Sequence, residues 1–124
     1  MTSLADHDLA FIGAGNMAEA LIRGLVQGGH VPAARIHASA PRLERLAELA
    51  KAYAIATTTD NQVAARAGSI VVLSTKPQIL GKVLAEIGSA IRPGALVISI
   101  CAGIDCATIE AAIPSEGVRV VRAM

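Results

Sequence analysis

Leu9-Ala10-Phe11-Ile12-Gly13-Ala14-Gly15-Asn16-Met17-Ala18 is the stretch on which the fold turns. Its first four residues are a short apolar run ending at Gly13, the pattern of a buried strand. From residue 16 to residue 27 the chain carries Met17, Leu21, Ile22 and Leu25 at the spacing of one helix face, and Gly28-Gly29 stops that helix. Between them, residues 13–18 match G-x-G-x-x-A. The pattern alone is weak, but directly after a strand and at the mouth of a helix it gains a physical meaning. Gly13 permits the tight turn, Gly15 lets a pyrophosphate approach the backbone, and Ala18 lets the helix lie against the strand. The unpaired N–H groups and positive dipole end of the helix then face the phosphates. A turn that uses its glycines for geometry alone is the bland alternative.

Working outward, strand and helix signals alternate along the whole chain. Residues 35–39 read as a second strand. Pro41 starts a second helix, with Leu43, Leu46, Ala47 and Ala50 as its stripe. Residues 54–58 are a weak third strand, and Asp60 caps a helix over 61–67 that Gly68 ends. Residues 69–74 are the clearest strand. Pro77 opens a fourth helix, with Ile79, Leu80, Val83, Leu84, Ile87 and Ile91 on one side. A strand over 96–100, a short helix capped by Asp105 and ended by Pro114, and a strand over 118–121 complete the series. Such alternation predicts one α/β domain over 1–124, a doubly wound (Rossmann-like), mostly parallel six-stranded sheet of order 3-2-1-4-5-6.

Composition narrows the function. The chain has 124 residues, enough for one domain, and 53% of them are hydrophobic against 17% charged, so it can bury a core. Eleven basic against ten acidic residues leave a net charge of +1, which argues against a nucleic-acid groove or a polybasic membrane patch. With one Phe, one Tyr and no Trp, base-stacking platforms are not expected. Mean hydropathy is high at +0.54. Yet apolar runs such as 70–73 and 95–98 fall far short of the roughly 20 residues of a spanning helix. The first eight residues hold two acids and no basic cluster, unlike a secretory signal. Cys101 and Cys106 make no disulfide framework, so a reduced, cytoplasmic setting is expected. His7, His30 and His37 lack ligand spacing and read as surface residues with no metal site. No nucleophile or acid–base constellation assembles, so no catalytic residue is assigned, and Glu19 is expected to face water.

A nicotinamide cofactor that lacks a 2′-phosphate is gripped by an acid at the end of the second strand. Here that place holds Ser39-Ala40-Pro41-Arg42, with no acid before Glu44. The Ser39 hydroxyl and Arg42 guanidinium suit a 2′-phosphate, so NADP(H) is expected, with NAD(H) the second candidate. A solvated Arg42 in a first helical turn is the alternative. Ser74-Thr75-Lys76-Pro77 follows the fourth strand, across the switch point from the glycine turn, where backbone groups can flank a nicotinamide ribose. Lys76 reads either as a phosphate or ribose contact or as an exposed loop lysine. Ala102-Gly103, after the fifth strand, are small enough for a ring to lie near the backbone. Cys101 reads as a buried small hydrophobe rather than a reactive thiol. Asn61 is a candidate contact for the adenosine half.

Taken with residues 97–104 and 121–124, these stretches resemble the amino-terminal domain of pyrroline-5-carboxylate reductases. The resemblance runs from about residue 9 to the end. It implies reduction of 1-pyrroline-5-carboxylate to L-proline, the last step of proline synthesis, with NADPH or NADH. It also implies that Gly13, Ala14, Gly15, Asn16 and Met17 hold the pyrophosphate, with Ile12 also among the cofactor-binding residues, that residues 39–42, Ser39 and Arg42 among them, hold the adenosine ribose end, and that Asn61 contacts the cofactor. Ser74, Thr75, Lys76, Pro77, Ala102 and Gly103 would flank the nicotinamide. Two departures are Ser74-Thr75, where members often have Ala-Val, and Cys101, where they often have Ala. Members continue into a helical domain that makes the dimer and holds the substrate carboxylate. This chain stops short of it, so a homo-oligomer is expected of a full-length form, and little activity of residues 1–124 alone. Two other readings stay open: a non-catalytic dinucleotide-binding module, and the cofactor domain of another dehydrogenase, such as one acting on 3-hydroxy acids.

Overall fold

Two strands buried along their whole length, β1 (Leu9–Ile12) and β4 (Ile70–Leu73), form the middle of the sheet. Burial on both faces is what makes a strand read as a continuous apolar run. The structure is a computed structural model describing residues 3–123. The other strands are β2 (Ile36–Ser39), β3 (Ala56–Thr58), β5 (Leu96–Ser99) and β6 (Arg119–Arg122). All neighbours pair in parallel, and the order is β3-β2-β1-β4-β5-β6, the doubly wound order expected from the sequence. The helices are α1 (Asn16–Gln27), α2 (Leu43–Tyr53), α3 (Asn61–Ala67), α4 (Pro77–Ile87) and α5 (Cys106–Ala111).

Side chains alternate between the two faces of the sheet, and each face has its own core. Leu9, Phe11, Ile36, Ala38, Ile70 and Val72 pack with Ala18 and Ile22 of α1 and Leu46 and Leu49 of α2. Ala10, Ile12, Val71, Leu73 and Val97 pack on the other side with residues of α3, α4 and α5. The exposed edge strand β6 carries charges at both ends, Arg119 and Arg122, which discourage pairing with another sheet.

Several local expectations shift. Helix α1 buries Ala18 and Ile22, while Met17 is 62% and Leu21 39% exposed, because Ala18 is the residue that lies against β1. Helix α2 starts at Leu43, with Arg42 as its non-helical cap, so Pro41 precedes the helix rather than opening it. Its buried residues are Leu46 and Leu49, with Tyr53 packed beside them. The expected stripe is rotated, leaving Leu43 exposed, because the i, i+3, i+7 set from Leu46 is bulkier than the set from Leu43. Ala54 adopts a left-handed conformation (φ 60°) as the cap of α2, and its N–H bonds to the Ala50 carbonyl, so β3 begins two residues later than expected. Helix α4 stops at Ile87, and a 3₁₀ turn over Gly88–Ala90 carries the chain to the buried Ile91. Among the described residues no helix is long and apolar enough to cross a membrane.

Candidate functional site

Parallel pairing puts the loops after β1 to β5 along one edge of the sheet. The register Thr58–Ser39–Ile12–Leu73–Ser99 lines up the residues just before them. Residues 59–61, 40–42, 13–15, 74–76 and 100–103 therefore stand in a row about 20 Å long at the usual strand spacing.

The glycine turn at the centre is clamped on both sides. The Gly13 N–H donates to the Ser39 carbonyl at 3.0 Å. The Ser74 hydroxyl donates to the Gly13 carbonyl at 2.7 Å and sits 3.2 Å from that of Ile12. Gly13 has φ +101°, and a Cβ there would lie 2.8 Å from backbone atoms of Ser74 and Thr75. Glycine is thus required at this position by conformation and by packing. Gly15 differs on both counts. Its φ of −80° suits any residue, and a Cβ there would meet nothing within 4 Å. It caps α1, with open space beside it. The Glu19 N–H makes the first bond of that helix, to the Gly15 carbonyl. The amides of Asn16, Met17 and Ala18 have no acceptor inside the helix.

Beneath the turn lies a polar cluster that the sequence reading did not single out. Arg45 of α2 donates through Nε to the Ala14 carbonyl at 2.7 Å and through Nη2 to the Gly15 carbonyl at 3.3 Å. It pairs with Glu19 at 2.7 Å and with Glu48 at 3.3 Å. The Tyr53 hydroxyl donates to Glu19 at 2.7 Å, and Arg23 to Tyr53 at 3.3 Å. Glu19 does not simply face water: its side chain is 24% exposed and holds α1 to α2. The Tyr53 hydrogen bond first, and that of Arg45 second, hold its carboxyl below the usual carboxylate range. The available signal was opposite charge on neighbouring helices, with the chain's one tyrosine eight residues beyond Arg45.

The other candidates divide by placement. Ile12 and Ala14 are buried and shape the turn, while Asn16 and Met17 are exposed at its mouth. Ser39 is a correction: it is fully buried, and its hydroxyl has no partner among the described residues. In this conformation the hydroxyl offers nothing to a phosphate at the surface, because its position at the end of β2 turns it into the core. What Ser39 contributes is the carbonyl that anchors Gly13. Arg42 is exposed at the start of α2. Asn61 opens α3 beside Asp60, which caps that helix by accepting from the Gln62 and Val63 amides. Ser74 and Thr75 are half-buried, and Lys76 and Pro77 are exposed at the start of α4. Ala102 and Gly103 are exposed, with Gly103 at φ +80°. Cys101 is buried, and its thiol donates to the Thr75 carbonyl at 3.1 Å, as a small buried residue rather than an exposed nucleophile. Met17, Leu21, Ile100 and Ala123 line an open apolar cleft of about 430 Å³ on the α1 side of this edge. His7 is half-buried against the Ser69 hydroxyl at 2.9 Å and His37 is also half-buried, so of the three histidines His30 alone is exposed. Among the described residues no three His, Cys, Asp or Glu side chains gather as a metal site would require.

Comparison with known proteins agrees with this architecture. The chain is 48% identical over 103 residues to a pyrroline-5-carboxylate reductase of Pseudomonas aeruginosa, a match covering 83% of this chain and 37% of that one. The solved pyrroline-5-carboxylate reductase of Coxiella burnetii superposes with a TM-score of 0.83 at 34% identity, over 95% of this chain and 43% of that one. The Plasmodium falciparum pyrroline carboxylate reductase, solved with NADP bound, gives 0.77 at 25% identity, over 97% and 42%. The chain thus spans about two fifths of the length of the relatives it matches. Residues 8–103 match the profile of one protein family, and the chain belongs to it: NADP oxidoreductase, coenzyme F420-dependent.

Proposed function

We propose that this chain is the NADP(H)-binding domain of an enzyme that reduces 1-pyrroline-5-carboxylate to L-proline. One observation carries the dinucleotide part. Gly15 is needed neither by backbone conformation nor by packing, yet it caps α1, and the space where its Cβ would stand is open. A diphosphate fits that opening, because the free amides of the helix start supply donors and the helix end supplies positive potential. The likeness to pyrroline-5-carboxylate reductases supports the substrate class.

In this reading Gly13, Ala14, Gly15, Asn16 and Met17 hold the diphosphate. Arg42 meets the 2′-phosphate, and Asn61 lies beside the adenosine end. Ser74, Thr75, Lys76, Pro77, Ala102 and Gly103 flank the nicotinamide end. When bound, NADPH supplies a hydride. A cyclic imine that arrives protonated already carries the proton that its nitrogen keeps. The chain's task is then to hold and orient the partners and exclude water, which needs no acid–base pair. The apolar cleft at Met17 and Leu21 supports a water-poor wall beside that place. Because the chain spans two fifths of its relatives' length, residues 1–124 alone are expected to bind cofactor but turn over poorly.

The test is a paired titration with NADPH and NADH, followed by an assay of proline formation by this chain and by a longer form containing it. Tighter binding of NADPH, and turnover that depends on the longer form, are expected. A clear NADH preference would overturn the cofactor assignment, and robust proline formation by residues 1–124 alone would overturn the division of labour.

A further inference from the structure

Gly15 creates a difficulty for the site it opens. A glycine leaves the peptide plane on either side of it loosely held, and a donor that must point at a phosphate loses value if its plane can turn over. The 14–15 plane precedes the first helical bond, so the helix does not fix it. Among the described residues, the hydrogen bond to the Ala14 carbonyl comes from Arg45. In a trans peptide, the C=O of one residue and the N–H of the next point in opposite directions, and no cis bond occurs among the described residues. Holding the Ala14 carbonyl toward Arg45 therefore turns the Gly15 N–H away from it. Holding the Gly15 carbonyl, which Arg45 shares with the Glu19 N–H, turns the Asn16 N–H outward from the helix mouth.

We propose that Arg45 is a positioning residue for the dinucleotide: its forked guanidinium fixes the 14–15 peptide plane and reinforces the 15–16 plane that the Glu19 N–H also holds, the two planes whose N–H groups receive the diphosphate. This rests on the dinucleotide reading above. The geometry of the fork matters here more than its charge. Glu19 and Glu48 both face the guanidinium at 2.7 and 3.3 Å and offset its charge locally, whereas two carbonyls bound at once need a planar fork, which a lysine lacks.

The test compares NADPH with adenosine 2′-monophosphate, a fragment with no diphosphate, on this chain and on its Arg45→Met and Arg45→Lys variants, with a thermal melt of each. Arg45→Met is expected to weaken NADPH about 10- to 100-fold, the worth of one charge-assisted hydrogen bond, and to leave the fragment within about twofold. Arg45→Lys is expected to recover only part of the loss, and it carries the comparison if Arg45→Met fails to fold. Unchanged NADPH affinity in a folded variant, equal weakening of both ligands, or full rescue by lysine would each overturn the proposal. If the unsubstituted chain binds no NADPH, the dinucleotide reading falls, and this inference falls with it. If the unsubstituted chain binds and the variants bind equally well, only the role of Arg45 falls.

Discussion

The two glycines of the turn should respond to the same substitution in opposite ways. Gly13→Ala places a Cβ 2.8 Å from Ser74 and Thr75 backbone atoms at φ +101°. The conformational penalty is about 1–2 kcal/mol, and the clash, against main chain that cannot swing aside, adds about 1–3 kcal/mol as overpacking does. At about 4 °C per kcal/mol for a domain of this size, the melting temperature should fall by about 8–20 °C. Gly15→Ala meets nothing within 4 Å at φ −80°. Its small loss as a helix cap is offset by about 0.4–1 kcal/mol from a stiffer unfolded chain, so the melting temperature should stay within about 4 °C. The new methyl stands where a diphosphate approaches, however, and displacing one charge-assisted hydrogen bond costs about 1.5–3 kcal/mol, or about 10- to 150-fold in Kd. Thermal melts of both variants and an NADPH fluorescence titration of Gly15→Ala measure these effects. If Gly15→Ala binds as tightly as the parent, or Gly13→Ala melts with it, the separation of roles is wrong.

Other consequences follow from single residues. Arg42→Ala should weaken NADPH about 10- to 100-fold while leaving NADH unchanged, the loss expected for a charge-assisted contact to the 2′-phosphate; equal weakening of both would place Arg42 elsewhere. Glu19 has a folded pKa below its ordinary value of 4.5, so its stabilising contribution is complete above that value and disappears as pH falls through the folded one. Urea unfolding should show Glu19→Gln less stable than the parent near pH 6, with the gap closing as pH falls below 4.5; a gap that does not change with pH would argue against the Tyr53 and Arg45 hydrogen bonds. In native thiol titration, half-buried Cys106 should react well before buried Cys101, and equal rates would contradict the burial of Cys101.

What could be read from the sequence was whatever one short stretch states by itself. Gly13 to Ala18 after an apolar run, Pro77 at a helix start, and Asp60 and Asp105 as caps are local signals, and the structure carries each of them. Helix phase was less legible. Along α2 the stripes beginning at Leu43 and at Leu46 both fit the helical period, and the bulk of the second set, which carries Leu49 and Tyr53, tells only once the helix packs on the sheet. The Arg45–Glu19–Tyr53 cluster was hidden because it joins residues up to 34 apart, and each of them alone looks like a surface residue. Ser39 was misleading in another way. Its hydroxyl looked available at a strand end, but side-chain alternation along β2 puts it inside, and the useful group is its carbonyl, which every residue has.

The most direct measurement is an amide NMR titration of this chain with NADPH. The account expects the largest shifts at the N–H groups of Gly15, Asn16 and Met17, with Arg42 responding to NADPH but not to NADH. Saturable binding that leaves those three amides unmoved would contradict the claim that the mouth of α1 receives a diphosphate.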